Sequence, residues 1–189
     1  MASSALSIVP TFSQSESEDA FKEWGANCGP NALASVMGMH IQDIEGIIPE
    51  FGEKRYTSPA MMTAALVRLR AKVDKWRIRD VLDKNLNIDA MFSPVPALVR
   101  IQWCGPWTRN MHHYKWAARQ THWIATQKDE TKNPFVHDDS RFMVFDVNGG
   151  LRTFSSWKHE VLPPLVSSIP DATGDWYPLQ IWRVKRPKR

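Results

Sequence analysis

The run Asn27-Cys28-Gly29-Pro30-Asn31-Ala32-Leu33-Ala34-Ser35-Val36-Met37 constrains this chain more than any other stretch. Gly29 and Pro30 lead tightly into a helix, because the N–H that proline lacks has no intrahelical acceptor at the first helical position. Ala32, Leu33, Ala34, Val36 and Met37 then leave almost no polar face, which predicts a buried helix over about 30–39. Cys28 falls at the start of that helix, in the positive end of its macrodipole. That position lowers a thiol pKa and favours the nucleophilic thiolate.

The chain has 189 residues, the length of one domain, and 43% of them are hydrophobic, enough for a real core. Its nine tryptophans are costly to leave in water, so they belong to a core or a cleft. Net charge is only +4, and the basic residues are dispersed except in Arg183–Arg189. That balance argues against nucleic acid as a partner and makes 185–189 a solvated basic tail. Two cysteines make at most one disulfide and no zinc cluster, and no HExxH run is present, so no metal or cofactor is expected. Neither a signal-peptide pattern nor an apolar run of membrane-spanning length occurs, which makes the expected location cytoplasmic, with no membrane partner.

Residues 1–20 are rich in small and acidic side chains and read as a lead-in, flexible or docked as a strand, before a domain over 21–184. Ile41, Ile44, Ile47 and Ile48 predict a short second helix, and Ser58-Pro59 is a helix start ahead of Met61, Met62, Ala65, Leu66 and Leu69. Alternation within 72–83 is strand-like. Further strands are expected at Pro96–Trp103, His122–Thr126, Arg141–Val147 and Gln180–Val184, with Asn148-Gly149-Gly150 turning a hairpin into Leu151–Phe154. Helices first and strands later describe an α+β domain. The polar segments 105–120 and 128–139 are loops.

Three residues align in order along these elements: Cys28 at a helix start, His122 opening a strand, and Asp146 closing the next strand, with Asn148 as the alternative third member. Thiol catalysis needs that division of labour. An imidazole takes the thiol proton, and a polar group fixes the imidazole's orientation. A separate feature, Trp103-Cys104-Gly105-Pro106-Trp107, is similar to the thioredoxin pentapeptide, but tryptophan stands where that chemistry needs its second cysteine. His112-His113, His40, His137 and His159 carry no ligand spacing.

Cys-Gly-Pro-Asn-Ala-Leu-Ala at 28–34, His-Trp-Ile-Ala at 122–125 and Phe-Asp-Val-Asn-Gly-Gly at 145–150 together resemble papain-like cysteine peptidases. They are most similar to the compact C39-like bacterial and phage forms. The resemblance implies a papain-like core, with the nucleophile at a helix N-terminus packed on an antiparallel sheet. It also implies a protein or peptide substrate. Cys28 would form an acyl-enzyme, His122 would act as base and then acid, and Asp146 would orient His122. Such peptidases carry a Gln shortly before the Cys as an oxyanion donor; the run Phe21–Asn27 has none, which leaves Asn27 or a backbone amide for that role. Trp24, Trp103 and Trp123 are the expected cleft walls. Two other functions share this pattern: an inactive papain-like protein that binds a partner, and an acyltransferase of transglutaminase type.

Overall fold

The computed structural model describes residues 7–25, 28–47, 53–77, 90–109, 120–132 and 139–187. Helices α1 (Gln14–Trp24), α2 (Cys28–Met37), α3 (Gln42–Glu45) and α4 (Pro59–Arg68) precede strand β1 (Lys72–Arg77). Strands β2 (Ala97–Trp103), β3 (Thr121–Lys128), β4 (Phe142–Asp146) and β5 (Gly150–Thr153) follow. A short helix α5 (Phe154–Ser156), a π-helical turn (Trp157–Val161) and α6 (Leu162–Ser167) lead to the last strand, β6 (Trp176–Lys185). The strands form one sheet in the order β1-β6-β2-β3-β4-β5, with every pairing antiparallel. The class is α+β. Among the described residues no helix is long and apolar enough to cross a membrane.

Both faces of the sheet are covered, so β2 is buried along its whole length. On one face Leu98, Trp123, Ala125, Phe145 and Trp182 pack against α2, together with Ile8, Ile44, Met62 and Leu66. On the other, Val99, Ile101, Trp103, Ile124, Val144 and Ile181 pack against Trp157, Val161, Leu162 and Val166. Alternate residues of one strand therefore feed two cores.

Helix α2 is the central element. All of its residues after Cys28 are buried, including Asn31 and Ser35. Its last turn is closed from a distance: Arg186 Nε donates to Val36 O at 2.7 Å, as a cation at a helix C-terminus should. Arg186 Nη2 also donates to Ser7 O. The expected tail at 185–189 therefore starts later than its charge pattern suggested, since Lys185 is still in β6 and Arg186 is clamped; Lys188 and Arg189 lie outside the described residues.

The lead-in differs from expectation in kind. Helix α1 occupies 14–24, held by a reciprocal capping box in which Glu16 N donates to Ser13 Oγ and Ser13 N donates to the Glu16 carboxylate. Ahead of it the chain is docked, with Ile8 fully buried and its carbonyl accepting from Ser35 Oγ. The hairpin β4–β5 forms around Asn148-Gly149-Gly150, with Gly150 at φ +69°, but Phe154 starts α5 instead of extending β5 because Thr153 Oγ1 caps the Ser156 N–H. The second short helix covers only Gln42–Glu45, and Ile48 lies outside the described residues, as does the outer half of the 72–83 alternation.

Candidate active site

Cys28 is the first residue of α2 and half-buried. Its neighbour Gly29 is there for space: a Cβ on Gly29 would overlap Thr57 Oγ1 and Cβ. The Thr57 carbonyl in turn accepts from Trp123 Nε1 at 2.9 Å, which ties the start of α2 to β3. Strand β4 pairs with β3 only from Ala125 onward, so among the described strands the first residues of β3 have one open edge. There the Trp123 backbone N–H and the His122 ring stand beside Cys28, close enough to act on its thiol pKa.

His122 Nε2 lies 2.9 Å from Asp146 Oδ1, which leaves Nδ1 for Cys28. Both side chains are buried, His122 at 7% exposure and Asp146 at 1%. Asp146 is fully engaged. Oδ1 also accepts from Asn148 N at 2.9 Å and Asn148 Nδ2 at 3.0 Å, while Oδ2 accepts from Trp157 Nε1 at 2.8 Å. Of the two candidates for the third position, Asp146 is the one against His122, and the exposed Asn148 braces Asp146. Trp103 stacks on the imidazole, with ring centroids 6.1 Å apart and 25° between planes.

The electrostatics follow from these contacts. Burial alone would raise the Cys28 pKa, but the hydrogen bond and charge of His122, helped by the Trp123 N–H, bring it below its ordinary value. Burial would lower the His122 pKa, yet the Asp146 charge and hydrogen bond, with Cys28 behind them, push it up to about 10. Burial likewise opposes ionisation of Asp146, and His122, Asn148 and Trp157 outweigh it, holding the carboxyl at about 2. The three shifts run in one direction, toward thiolate, imidazolium and carboxylate in sequence. That arrangement is competent for nucleophilic attack followed by proton delivery.

The tryptophans expected as cleft walls are packed inside. Trp24 and Trp123 belong to the α2-side core, and Trp103 to the opposite core, at 4%, 2% and 2% exposure. Indole area is more stabilising in a two-sided core than along a wet groove; Trp103 keeps a part in the site through its ring beside His122, and Trp123 through its backbone N–H beside Cys28. Asn27, the expected oxyanion donor, lies outside the described residues, as do His112 and His113. Cys104 is in no disulfide and is buried just after β2, and Trp107 Nε1 closes the turn that follows by donating to Trp103 O at 2.7 Å. Sequence reasoning missed Trp157. Nothing in its local spacing marks it, and it reaches Asp146 only because the π-helical turn follows β5 back across the sheet.

No protein-family model matches the chain, and no curated protein matches it in sequence. Among solved structures, the peptidase domain of Streptococcus ComA, a bi-functional ABC transporter involved in a quorum sensing pathway, is similar at TM-score 0.43 and 13% identity. The superposition covers 95% of this chain and 97% of that chain.

Proposed function

We propose that this protein is a papain-like cysteine peptidase, a thiol hydrolase that cleaves a peptide or isopeptide bond through an acyl-Cys28 intermediate. The observation that carries this reading is the buried His122–Asp146 pair, His122 Nε2 lying 2.9 Å from Asp146 Oδ1, beside the half-buried Cys28 that opens α2. A buried imidazole clamped by a fully engaged carboxylate has one tautomer and one orientation, and that is what a general base and acid needs.

The Cys28 thiolate attacks the carbonyl carbon and the carbonyl electrons move to oxygen. The Cys28 backbone N–H, which has no intrahelical acceptor in the first turn of α2, is one donor to that oxyanion. Asn27 is the proposed second donor. As the tetrahedral intermediate collapses, His122 gives its Nδ1 proton to the leaving amine, the C–N bond breaks and a thioester remains. The neutral imidazole then takes a proton from water, hydroxide adds to the thioester, and Cys28 leaves as thiolate with the His122 imidazolium restored. Asp146 keeps its charge throughout and holds the ring in place.

The test is a degenerate peptide library incubated with wild type, Cys28→Ala and His122→Ala, with new termini read by mass spectrometry. Cleavage by wild type and by neither variant is the expected result. Equal cleavage by Cys28→Ala, or no cleavage by wild type across the library, overturns the proposal.

A further inference from the structure

Among the described residues Arg100 is a buried cation without a carboxylate counter-ion. It stands on β2 directly opposite Trp123, the residue whose backbone N–H acts on the Cys28 thiol. It is only 5% exposed, with its guanidinium carbon 6.0 Å from the centre of the Trp123 ring. Nε and Nη2 both donate to one acceptor, Thr121 Oγ1, at 3.2 and 3.1 Å. Thr121 immediately precedes His122, whose side chain points to the other face of β3, and Cys28 is near enough for its charge to act on the guanidinium.

Burying a charge is costly in solvation unless a partner offsets it. Among the described residues no carboxylate pairs with Arg100. Gln180 stands in register on the other side of β2, but its Oε1 is buried without a donor, so the remaining N–H groups of Arg100 are not used there. Burial pulls the Arg100 pKa down and the Cys28 charge only partly opposes it. Guanidinium nevertheless remains protonated in proteins, so the site carries a fixed positive charge. Nor is the thiolate its intended partner. His122 and the Trp123 N–H already act on the Cys28 thiol, and that charge disappears in the acyl-enzyme whereas the Arg100 charge does not. Thr121 occupies the Nε–Nη2 side of the guanidinium, and the Nη1–Nη2 side is the fork that fits a carboxylate in bidentate fashion.

We propose that Arg100 binds a substrate carboxylate lying beside the scissile carbonyl, so that the site selects peptides with an acidic group there, an Asp or Glu side chain or a free C-terminus. This rests on the thiol-hydrolase reading of Cys28, and the test separates the two. Iodoacetate and iodoacetamide both alkylate a thiolate, forming the S–C bond as iodide leaves, but only the first carries a carboxylate next to the reacting carbon. The ratio of their rates at Cys28 is measured in wild type, Arg100→Gln and Arg100→Lys. The expected ratio falls about tenfold in Arg100→Gln, the scale of one charge-assisted contact, and is partly kept in Arg100→Lys. An unchanged ratio with fast iodoacetamide reaction in both proteins overturns the carboxylate receptor and leaves the thiolate relay standing. Slow reaction of wild-type Cys28 with both reagents overturns the thiolate relay, and the receptor with it.

A second measurement needs no variant and so survives a failure of Arg100→Gln to fold. Wild-type Cys28 is alkylated with iodoacetamide in the presence of N-acetylglycine, of N-acetylaspartic acid α-amide with its side-chain carboxylate free, or of neutral N-acetylglycinamide. Protection by the first points to a C-terminal carboxylate and protection by the second to an acidic side chain, either one supporting the proposal. Protection by neither carboxylate, or equal protection by the neutral amide, overturns it.

Discussion

Replacing Asp146 with Asn tests the energetics of the relay, because every contact made by this carboxylate is with an N–H donor. One oxygen faces His122 Nε2, Asn148 N and Asn148 Nδ2, and the other faces Trp157 Nε1. An amide must turn its own NH2 toward one of those sides, setting donor against donor. The less damaging flip faces Trp157 and leaves the indole N–H of a fully buried residue unpaired. It also removes the charge that raises the His122 pKa to about 10. Breaking a buried ion pair of this kind costs about 3–5 kcal/mol.

The pH dependence has a definite sign. Asp146 is depressed to about 2, so its contribution is fully present above the unfolded-state pKa of about 3.9 and is lost as pH falls toward 2. His122 is raised to about 10, so its contribution is fully present below about 6.5 and is lost as pH rises toward 10. The wild-type advantage over Asp146→Asn therefore peaks between about pH 4 and 6.5 and shrinks on both sides. Urea denaturation of both proteins across that range reads it directly. A difference that is flat with pH, or an Asn variant as stable as wild type at pH 5–6, would refute the reasoning.

Trp157→Phe removes the indole donor to Asp146 Oδ2, and a loss of about 1.5–3 kcal/mol is expected, with the acid limb of the stability curve moved to higher pH. Trp176→Phe is the control, since Trp176 packs in the same aromatic cluster at 5.4 Å from Trp157 without being a donor to Asp146; the same shift there would mean that packing alone is responsible. Gly29→Ala drives a Cβ into Thr57 and is expected to cost about 1–3 kcal/mol in urea denaturation while slowing Cys28 alkylation, because Thr57 anchors Trp123. Wild-type values for both would contradict the packing described at the start of α2.

Much of the candidate site's geometry was legible because its residues stand at the ends of elements. Gly29-Pro30 before an apolar run located α2, strand alternation with Asn148-Gly149-Gly150 located the β3–β4–β5 region, and Cys28, His122 and Asp146 fall at those ends. Helix α1 was not legible from hydrophobic periodicity, since it buries only Ser17, Ala20 and Trp24. Its signal was the cap, Ser13 with Glu16 three residues on. The helical stretch after β5 was hidden by Pro163-Pro164, which interrupt a helical pattern in sequence; in the fold they begin a new helix after the π-helical turn, where a missing N–H costs little. Trp157, Trp103 and Arg100 act through tertiary contacts with Asp146, His122 and Thr121, and no local pattern encodes such pairs. The burial of Trp24 and Trp123 was hidden for a related reason: a sheet covered on both faces turns aromatic positions into core on either side.

The central claim is that Cys28 is a thiolate held by His122. Iodoacetamide alkylation of Cys28 and Cys104, followed by mass spectrometry from acid to alkaline pH in wild type and His122→Ala, tests it most directly. The account requires wild-type Cys28 to react fast well below the ordinary thiol pKa of about 8.5, and requires His122→Ala to abolish that reactivity. Cys28 reacting no faster than Cys104, or at the same rate with and without His122, would contradict it.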